Sequence, residues 1–284
     1  MFFMEREYSR LTRKILLYLS LIVGATSAMF PFLWMTLSSF MTRGETIRRA
    51  FIPEKIQLGN YLGAWQEANF GLYFENSVIV AVIQVIGTLT LSLLAAYPLA
   101  RMEFRGRDTI FAIILATLMI PETVTMVPNF LTVTWLHRNT PILWLNSWPS
   151  LTIPFLTSAF SIFLLRQFLR GIPNDLWEAA RIDGAGHLRF LFRIVLPLCR
   201  PPLLTVGMFT FIGSWNSLAW PLLVTNSSEW RPISVGLQQF VSEAGAEIHL
   251  QMAGAVIATI PVLFVYFLIQ KEFTEGISMS GLKG

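Results

Sequence analysis

Long apolar runs, separated by short charged segments, recur along the whole chain. A helix needs about 20 apolar residues to cross about 30 Å of hydrocarbon, and six runs reach that length. They are apolar on all sides, unlike the alternating strands of about 10 residues that build membrane barrels. We therefore predict an all-α membrane protein that forms a single transmembrane domain over residues 1–284. The six predicted spans are residues 15–40, 76–98, 109–132, 143–165, 201–224 and 250–270.

The distribution of lysine and arginine orients these spans, because short cytoplasmic loops carry an excess of both residues. With the N-terminus placed inside, 15 of the 21 lysines and arginines fall on the inner side and 6 on the outer side. We therefore expect both termini to be cytoplasmic. The longest inner loop joins the fourth and fifth spans. On the outer side, residues 43–75 are expected to form short interfacial helices rather than a domain.

The composition agrees with a membrane location. Hydrophobic residues make up 54% of the 284 residues and charged residues 13%, whereas about a quarter of a soluble domain is charged. These proportions exclude an ordinary soluble enzyme, a disordered chain and a fibrous protein. The net charge of +4 follows the predicted topology, so lipid rather than nucleic acid is the expected neighbour. The single cysteine, Cys199, has no partner for an internal disulfide.

Candidate catalytic chemistry is missing from the sequence. No phosphate-binding loop of the type G-x-x-x-x-G-K-[ST] occurs, and no cysteine, histidine and aspartate cluster has the spacing of a metal site. His137, His187 and His249 are scattered in or near loops. We therefore expect no catalytic residue, no metal site and no cofactor bound by this chain.

The inner loop at residues 171–200 has the features of a helix–turn–helix outside the membrane. Pro173 suits a first helical turn, Asn174 or Asp175 suits an N-cap, and Asp183-Gly184 suits the end of the helix. A second amphipathic stretch, residues 187–195, leads into the fifth span. Physical reasoning alone leaves two roles equally open, which are docking of another protein on the small Ala-Ala-Gly surface and contact with the lipid surface.

A spaced motif in this loop resembles the EAA loop of permeases from binding-protein-dependent ABC importers. Glu178-Ala179-Ala180 is followed by Gly184 after three residues, then by Ile194 after nine, and by Leu196-Pro197 after one more. The resemblance implies a coupling helix that fits a groove on a separate ATP-binding subunit. The coupling residues that it implies are Glu178, Ala179, Ala180, Asp183 and Gly184.

Further matches resemble carbohydrate importers of the maltose type, and specifically their smaller, six-helix permease. They are Asn60-Tyr61, Phe74, Asn76-Ser77, Trp215-Asn216 and the ending Gly276-Ile277 to Gly281-Leu282-Lys283-Gly284. The resemblance implies a bacterial inner-membrane subunit that imports a sugar or related polyol. It also implies a homologous second permease, two ATP-binding subunits that carry ATP and Mg, and an extracytoplasmic solute-binding protein. The tail at residues 276–284 is either a second contact with the ATP-binding subunits or a frayed end.

Three polar residues within the spans are candidates for a solute pathway. At 1.5 Å per residue, Gln84, Glu122 and Asn216 fall in one layer somewhat outside the midplane, and Trp215 offers an apolar face to a sugar ring. Polar groups at this depth are costly and usually face a cavity or another helix. The alternatives are that Glu122 caps a helix broken near Pro121 and that Asn216 bridges two helices.

Two other functions compete with sugar import. An importer for glycerol phosphate or another small solute shares these motifs, but a phosphate favours cationic partners and no lysine or arginine lies within a span. An ion-coupled secondary transporter favours several intramembrane acids and paired repeats, and Glu122 is the one candidate. The absence of a catalytic constellation argues against an intramembrane enzyme, which is a third class.

Overall fold

The computed structural model describes residues 2–67, 69–242 and 245–281, and most of these residues are helical. A short antiparallel ribbon joins β1 (Val241–Ser242) to β2 (Gly245–Ala246), and it pairs Val241 with Ala246. The helices are α1 (Phe2–Ser39), α2 (Arg43–Ile47), α3 (Gly59–Glu67), α4 (Phe70–Arg101), α5 (Arg107–Thr117), α6 (Glu122–Asn139), α7 (Trp148–Thr152), α8 (Ala159–Arg170), α9 (Asp175–Ile182), α10 (His187–Phe190), α11 (Leu196–Leu198), α12 (Arg200–Trp215), α13 (Ala219–Val224), α14 (Ile233–Gln238) and α15 (Ile248–Gly281).

Three helical segments are long and apolar enough to cross a membrane without interruption. They are Thr12–Ser39 in α1, Phe70–Arg101, which is all of α4, and Ile248–Gln270 in α15, with mean hydropathies of 1.9, 2.4 and 2.4. Three further pairs of helices are apolar enough to cross a membrane as pairs, each with a bend of more than 40°. If each bent pair is one span, the total is the six that the sequence predicts.

The predicted third span, residues 109–132, is broken where the sequence places Pro121. Arg107–Thr117 and Glu122–Asn139 meet at 98°. Proline disfavours the α conformation at the residue before it, here Ile120, and supplies no N–H to continue the ladder. The continuous helix that the apolar run suggested is therefore two helices around a sharp corner.

The predicted fifth span, residues 201–224, is also interrupted. Its helix α12 ends at Trp215, and α13 begins only at Ala219. At its other end α12 meets the preceding segment His187–Leu198 at 80°. Pro201 and Pro202 lie in the first turn of α12, where their missing N–H groups cost nothing. The predicted fourth span has a smaller bend, of 43°, between Trp148–Phe155 and α8.

The chain divides into two compact units. One unit lies within residues 1–68 and 237–259 and contains α1 to α3. In it, Ser39 and Tyr61 share a hydrogen bond of 2.7 Å between their hydroxyls, and Asn60 Nδ2 donates to the carbonyls of Ser39 and Met41. Residues 43–75 do contain the short helices expected there, α2 and α3.

The other unit lies within residues 69–236 and 260–284, and its core forms where α4 packs against α8 and α12. Leu165, Leu169, Phe190, Val195 and Val206 are fully buried in this core. The buried side of α4 also carries polar residues that hydrogen-bond to α7 and to the chain between α7 and α8. Those residues are Gln84, Thr88 and Ser92.

Candidate functional site

Helix α9 lies at the centre of the predicted coupling loop. It begins at Asp175, after Pro173 rather than around it, and its first turn closes through the Trp177 N–H on the Asn174 carbonyl at 2.8 Å. Asn174 occupies the N-cap position, but its side chain accepts no hydrogen bond from the helix. The expected side-chain cap is therefore wrong, since Asn174 has helical φ and ψ instead of the extended backbone that capping side chains need.

The other end of α9 is closed as the sequence predicts. Gly184 has a left-handed backbone with φ of +74°. The Ala185 N–H donates to the Ala180 carbonyl at 2.8 Å and the Gly184 N–H to the Arg181 carbonyl at 3.0 Å. These two bonds form a Schellman motif, in which glycine is the favoured residue because it has no Cβ to clash.

The five predicted coupling residues occupy two different environments. Ala180 is 5% exposed and packs in the core of its unit. Glu178, Ala179, Asp183 and Gly184 are exposed. Ile182 beside them is 87% exposed. This apolar side chain on an otherwise polar surface widens the patch that a partner protein can cover.

Aromatic and imidazole rings attach α9 to the core of its unit. Trp177 stacks on His187 with ring centroids 4.3 Å apart, and its edge meets Phe190 at 5.1 Å. His187 Nδ1 lies 3.0 Å from the Tyr97 hydroxyl of α4. The sequence assigned no role to His187, because a lone histidine in a loop carries no signal of the rings that pack around it.

Two arginines, which the sequence did not single out, form hydrogen bonds that connect the ends of the helices next to α9. Arg101 Nη1 donates to the Ile172 carbonyl at 2.6 Å, which ties the end of α4 to the start of the loop. Arg166 of α8 is 4% exposed. It donates to the Leu99 carbonyl at 3.0 Å and to Asp108 Oδ1 at 2.9 Å. Its guanidinium also lies 3.7 Å from the ring centroid of Phe111.

Two adjoining cavities lie in the same unit, at the corner between α5 and α6. Their volumes are about 270 Å³ and 300 Å³. They share Glu122, Phe155, Gly213 and Ser217. The first extends along Gln84 and Thr88 of α4 towards α8, and the second follows α6.

The structure brings together two of the four predicted pathway residues. Gln84 lines the first cavity and donates through Nε2 to the Leu151 carbonyl at 2.8 Å. Glu122 lines both cavities and is the first residue of α6. The helix is indeed broken beside Pro121, but Pro121 rather than Glu122 occupies the N-cap position of α6.

Trp215 and Asn216 are placed elsewhere. Trp215 is 3% exposed and packs against Phe74 and Phe211, with centroids 5.6 Å and 5.5 Å away. Asn216 is exposed at the end of α12, where its N–H donates to the Ile212 carbonyl. Neither lines the two cavities, so a pathway role for them stays a prediction.

Small hydroxyl residues line the cavities and were missed from the sequence. Thr88, Ser158, Ser161 and Ser214 are examples. Their signal was weak, because serine and threonine in membrane helices also return hydrogen bonds to their own backbone. The described part of the chain contains no group of three residues that could hold a metal ion. The tail continues α15 to Gly281, and residues 282–284 of the second predicted contact lie outside the described residues.

Comparison with known proteins places these features in a family context. Residues 88–278 match the family described as the inner membrane component of binding-protein-dependent transport systems. The diacetylchitobiose uptake system permease protein NgcG of Streptomyces coelicolor is 34% identical, over 96% of this chain and 89% of that protein. The sn-glycerol-3-phosphate transport system permease protein UgpE of Yersinia enterocolitica is 32% identical, over 92% and 94%.

A solved structure has the same fold. It is a crystal structure of a bacterial ABC transporter involved in the import of the acidic polysaccharide alginate. The matched chain superposes with a TM-score of 0.80 and 26% identity, over 90% of this chain and 95% of that one.

Proposed function

This chain belongs to the inner membrane components of binding-protein-dependent transport systems, and we propose that α9 is the element through which it receives the work of ATP hydrolysis. It is a membrane permease subunit of an ABC importer that acts with a solute-binding protein, and it is a transport subunit rather than an enzyme. We further propose a homologous second permease and two ATP-binding subunits, which hold ATP and Mg, as its other partners.

The observation that carries this proposal is the contrast between the two sides of α9. Glu178, Ala179 and Ile182 are exposed, while Ala180 and Trp177 face the core of the unit. A partner that binds the exposed side can move α9 without disrupting the contacts that hold the helix to its unit. The small Ala179 side chain lets such a partner approach closely, as in tightly packed helix contacts.

The attachments of α9 explain how its movement reaches the membrane. Trp177 stacks on His187, which hydrogen-bonds to Tyr97 of α4. Arg101 of α4 also hydrogen-bonds to Ile172, which precedes α9. Helix α4 in turn carries Gln84 and Thr88 on the cavity wall. Closure of the ATP-binding subunits would thus displace α9 and α4 together, with the bends at Pro121 and Cys199 as the natural hinges.

We propose that the solute is a sugar or a related polyol. The relatives differ here, since one is named for diacetylchitobiose and another for sn-glycerol-3-phosphate. Among the described residues that line the cavities, none is lysine or arginine. A phosphate-bearing solute would therefore depend on cations from partner proteins, whereas hydroxyls can use the serine, threonine and glutamine side chains present.

Paired glycine variants test the role of α9. Gly184→Ala places a Cβ on a left-handed backbone, which costs about 1–2 kcal/mol, and should displace the exposed side of α9. Gly186→Ala is the control, because Gly186 has φ of −82° and open space around a new Cβ. In the complete importer, Gly184→Ala should reduce co-purification of the ATP-binding subunit and solute uptake, while Gly186→Ala should change neither.

A charge variant on the exposed side complements this pair. Glu178→Gln should weaken binding of the ATP-binding subunit and uptake, whereas Glu103→Gln, in an exposed segment outside the loop, should not. Normal assembly and uptake in both Gly184→Ala and Glu178→Gln would refute coupling through α9. Uptake that continues without ATP would instead favour an ion-coupled secondary transporter.

A further inference from the structure

We infer that this chain itself holds a solute-binding site in the two adjoining cavities, and that Glu122 makes the site select uncharged, hydroxyl-bearing ligands over anions. The inference rests on the proposed function, which makes the chain part of the route for a sugar or polyol. It adds a selection step within the membrane that is separate from the solute-binding protein.

The site is built by residues that are far apart in the sequence. Gln84 and Thr88 come from α4, Glu122 from the start of α6, Ser161 from α8 and Ser214 from the end of α12. Each of these helices is held by packing or by hydrogen bonds to main-chain carbonyls, such as that from Gln84 to Leu151. Convergence of a few polar groups in a concave region is the usual form of a small-molecule site.

The polar groups of this site that are open to a ligand are mainly hydrogen-bond acceptors. The Glu122 carboxylate is exposed, and within the described part of the chain it has no salt bridge and no hydrogen-bond donor. Gln84 Nε2 donates to the Leu151 carbonyl, so Oε1 of the same amide is left as an acceptor. Ser214 Oγ is buried without any hydrogen-bond partner among the described residues. A buried polar atom without a partner is costly, so a ligand that bonds to Ser214 relieves a cost already present.

Acceptors of this kind favour ligands that supply donors. A hydroxyl group donates to a carboxylate or amide oxygen and can also accept from Ser214, whereas a carboxylate or a fully ionised phosphate group can only accept. Phe155, Phe160 and Phe209 complete the wall of the first cavity. Their rings provide the apolar surface that the C–H groups of a sugar ring require.

Electrostatics adds to this preference. Among the described residues lining the cavities, Glu122 is the one ionisable side chain. The N-terminus of α6 lies at the same place and carries roughly half a positive charge. The full negative charge of Glu122 exceeds that partial charge, so the local field opposes an anion. Like charges brought together in this way are a recognised means of rejecting a wrong ligand.

Protection of an introduced cysteine tests the inference in the complete importer in nanodiscs, without the solute-binding protein. Ser217→Cys places a thiol on both cavities, whereas the native Cys199 is fully buried. Glucose and glucuronate are matched probes, because they share a pyranose ring and differ in charge. The measured quantity is the concentration of each that halves the rate of labelling by a methanethiosulfonate reagent.

Glucose should protect the thiol, and glucuronate should require a concentration higher by about tenfold or more. Adding Glu122→Gln should bring the two concentrations close together. Glu229→Gln is the control, because it makes the same change of charge at an exposed residue outside the cavities, and it should preserve the discrimination. Equal protection by both probes with Glu122 present would overturn the inference, as would absence of protection by either.

The outcomes separate this inference from the proposed function. ATP-driven uptake by the same complex in proteoliposomes, with the solute-binding protein added, reports on the proposed function alone. Active uptake with no protection of the cysteine would overturn the binding site and leave the importer intact. Protection without ATP-driven uptake would do the reverse.

Discussion

Glu45 is a buried carboxylate, 2% exposed, whose hydrogen bonds hold a whole loop together. Its Oε2 accepts from the Thr42 N–H and hydroxyl, each at 2.7 Å, and its Oε1 accepts from the Glu54 N–H at 2.7 Å. The Glu45 N–H returns a bond to the Thr42 hydroxyl, which completes a capping box. These backbone donors lower the pKa of Glu45 below its ordinary value of 4.5.

This lowered pKa predicts acid sensitivity of the segment from Thr42 to Glu54. A carboxyl whose pKa is lower in the folded state stabilises the fold fully above its unfolded pKa, and the contribution is lost as pH falls through the folded pKa. Hydrogen exchange at the Glu54 N–H, corrected for the intrinsic rate, should therefore rise as pH falls below 4.5. Glu45→Gln should show fast exchange already at neutral pH and little pH dependence.

Glu54→Gln is the control for this experiment, since the Glu54 side chain is 77% exposed and its pair with Arg48, at 3.7 Å, lies on the surface. Exposed pairs contribute little, so this variant should keep the exchange profile of the native chain. An unchanged profile in Glu45→Gln would contradict the structural role of the carboxylate.

Single residues differ in how well the sequence predicts them. Gly184 was predicted to end α9, because a glycine after a polar helix end is a local signal. Asn174 was expected to cap the same helix through its side chain, but the backbone conformation that decides this is not written in the residue type. The burial of Trp215 between Phe74 and Phe211 likewise depends on distant residues.

At the scale of elements, Arg166 joins three helices. It lies on α8, donates to the Leu99 carbonyl near the end of α4, and pairs with Asp108 at the start of α5. The two partners of the pair differ in exposure, with side chains 5% and 71% accessible. Removal of either partner therefore has a different consequence.

We predict that Arg166→Met destabilises the importer more than Asp108→Asn does. The first variant leaves the Leu99 carbonyl without its donor, which costs about 1–3 kcal/mol, and removes the guanidinium from the Phe111 ring. The second keeps an acceptor at position 108 and leaves Arg166 bonded to Leu99. Thermal unfolding of the purified complex measures the order of the two effects.

Arg170→Met provides the matched control, because Arg170 is exposed on the same helix and should leave the unfolding temperature nearly unchanged. Arg166→Lys should fall between the native chain and Arg166→Met, since a lysine is a single point charge without the fork that reaches two partners. Equal stability of the Arg166→Met and Arg170→Met variants would contradict the assignment.

The elements also show where local pattern stops being informative. Pro121 lies in an apolar run long enough for one span, and the 98° corner there was not apparent from the run. Proline in a membrane helix is compatible with a mild kink or a complete break, and packing with neighbouring helices decides between them. The corner matters for function because it carries Glu122 to the cavities.

At the scale of the whole molecule, the distribution of charge predicts the membrane orientation. The excess of lysine and arginine on one side predicts that both termini and α9 are cytoplasmic. In intact cells, a membrane-impermeant maleimide should label Lys55→Cys. It should label Asp183→Cys only after the membrane is permeabilised. Both positions are exposed in the chain, and the native Cys199 is buried.

A third position controls for the case in which a bound partner protein blocks labelling of α9. Glu103→Cys lies in an exposed segment between α4 and α5 and is predicted on the same side as Asp183. Labelling of Glu103→Cys in intact cells would show that the orientation is reversed.

The sequence by itself determined the apolar runs, the family and the loop that contains α9. These properties depend on run length, composition and the spacing of a short motif, all of which are local. Only the tertiary structure decided the corners at Pro121 and Cys199, the bonds of Arg101 and Arg166, and the convergence of Gln84, Glu122 and Ser214 on one cavity. Those features depend on which helix faces meet, and that outcome is set by packing between residues far apart in the chain.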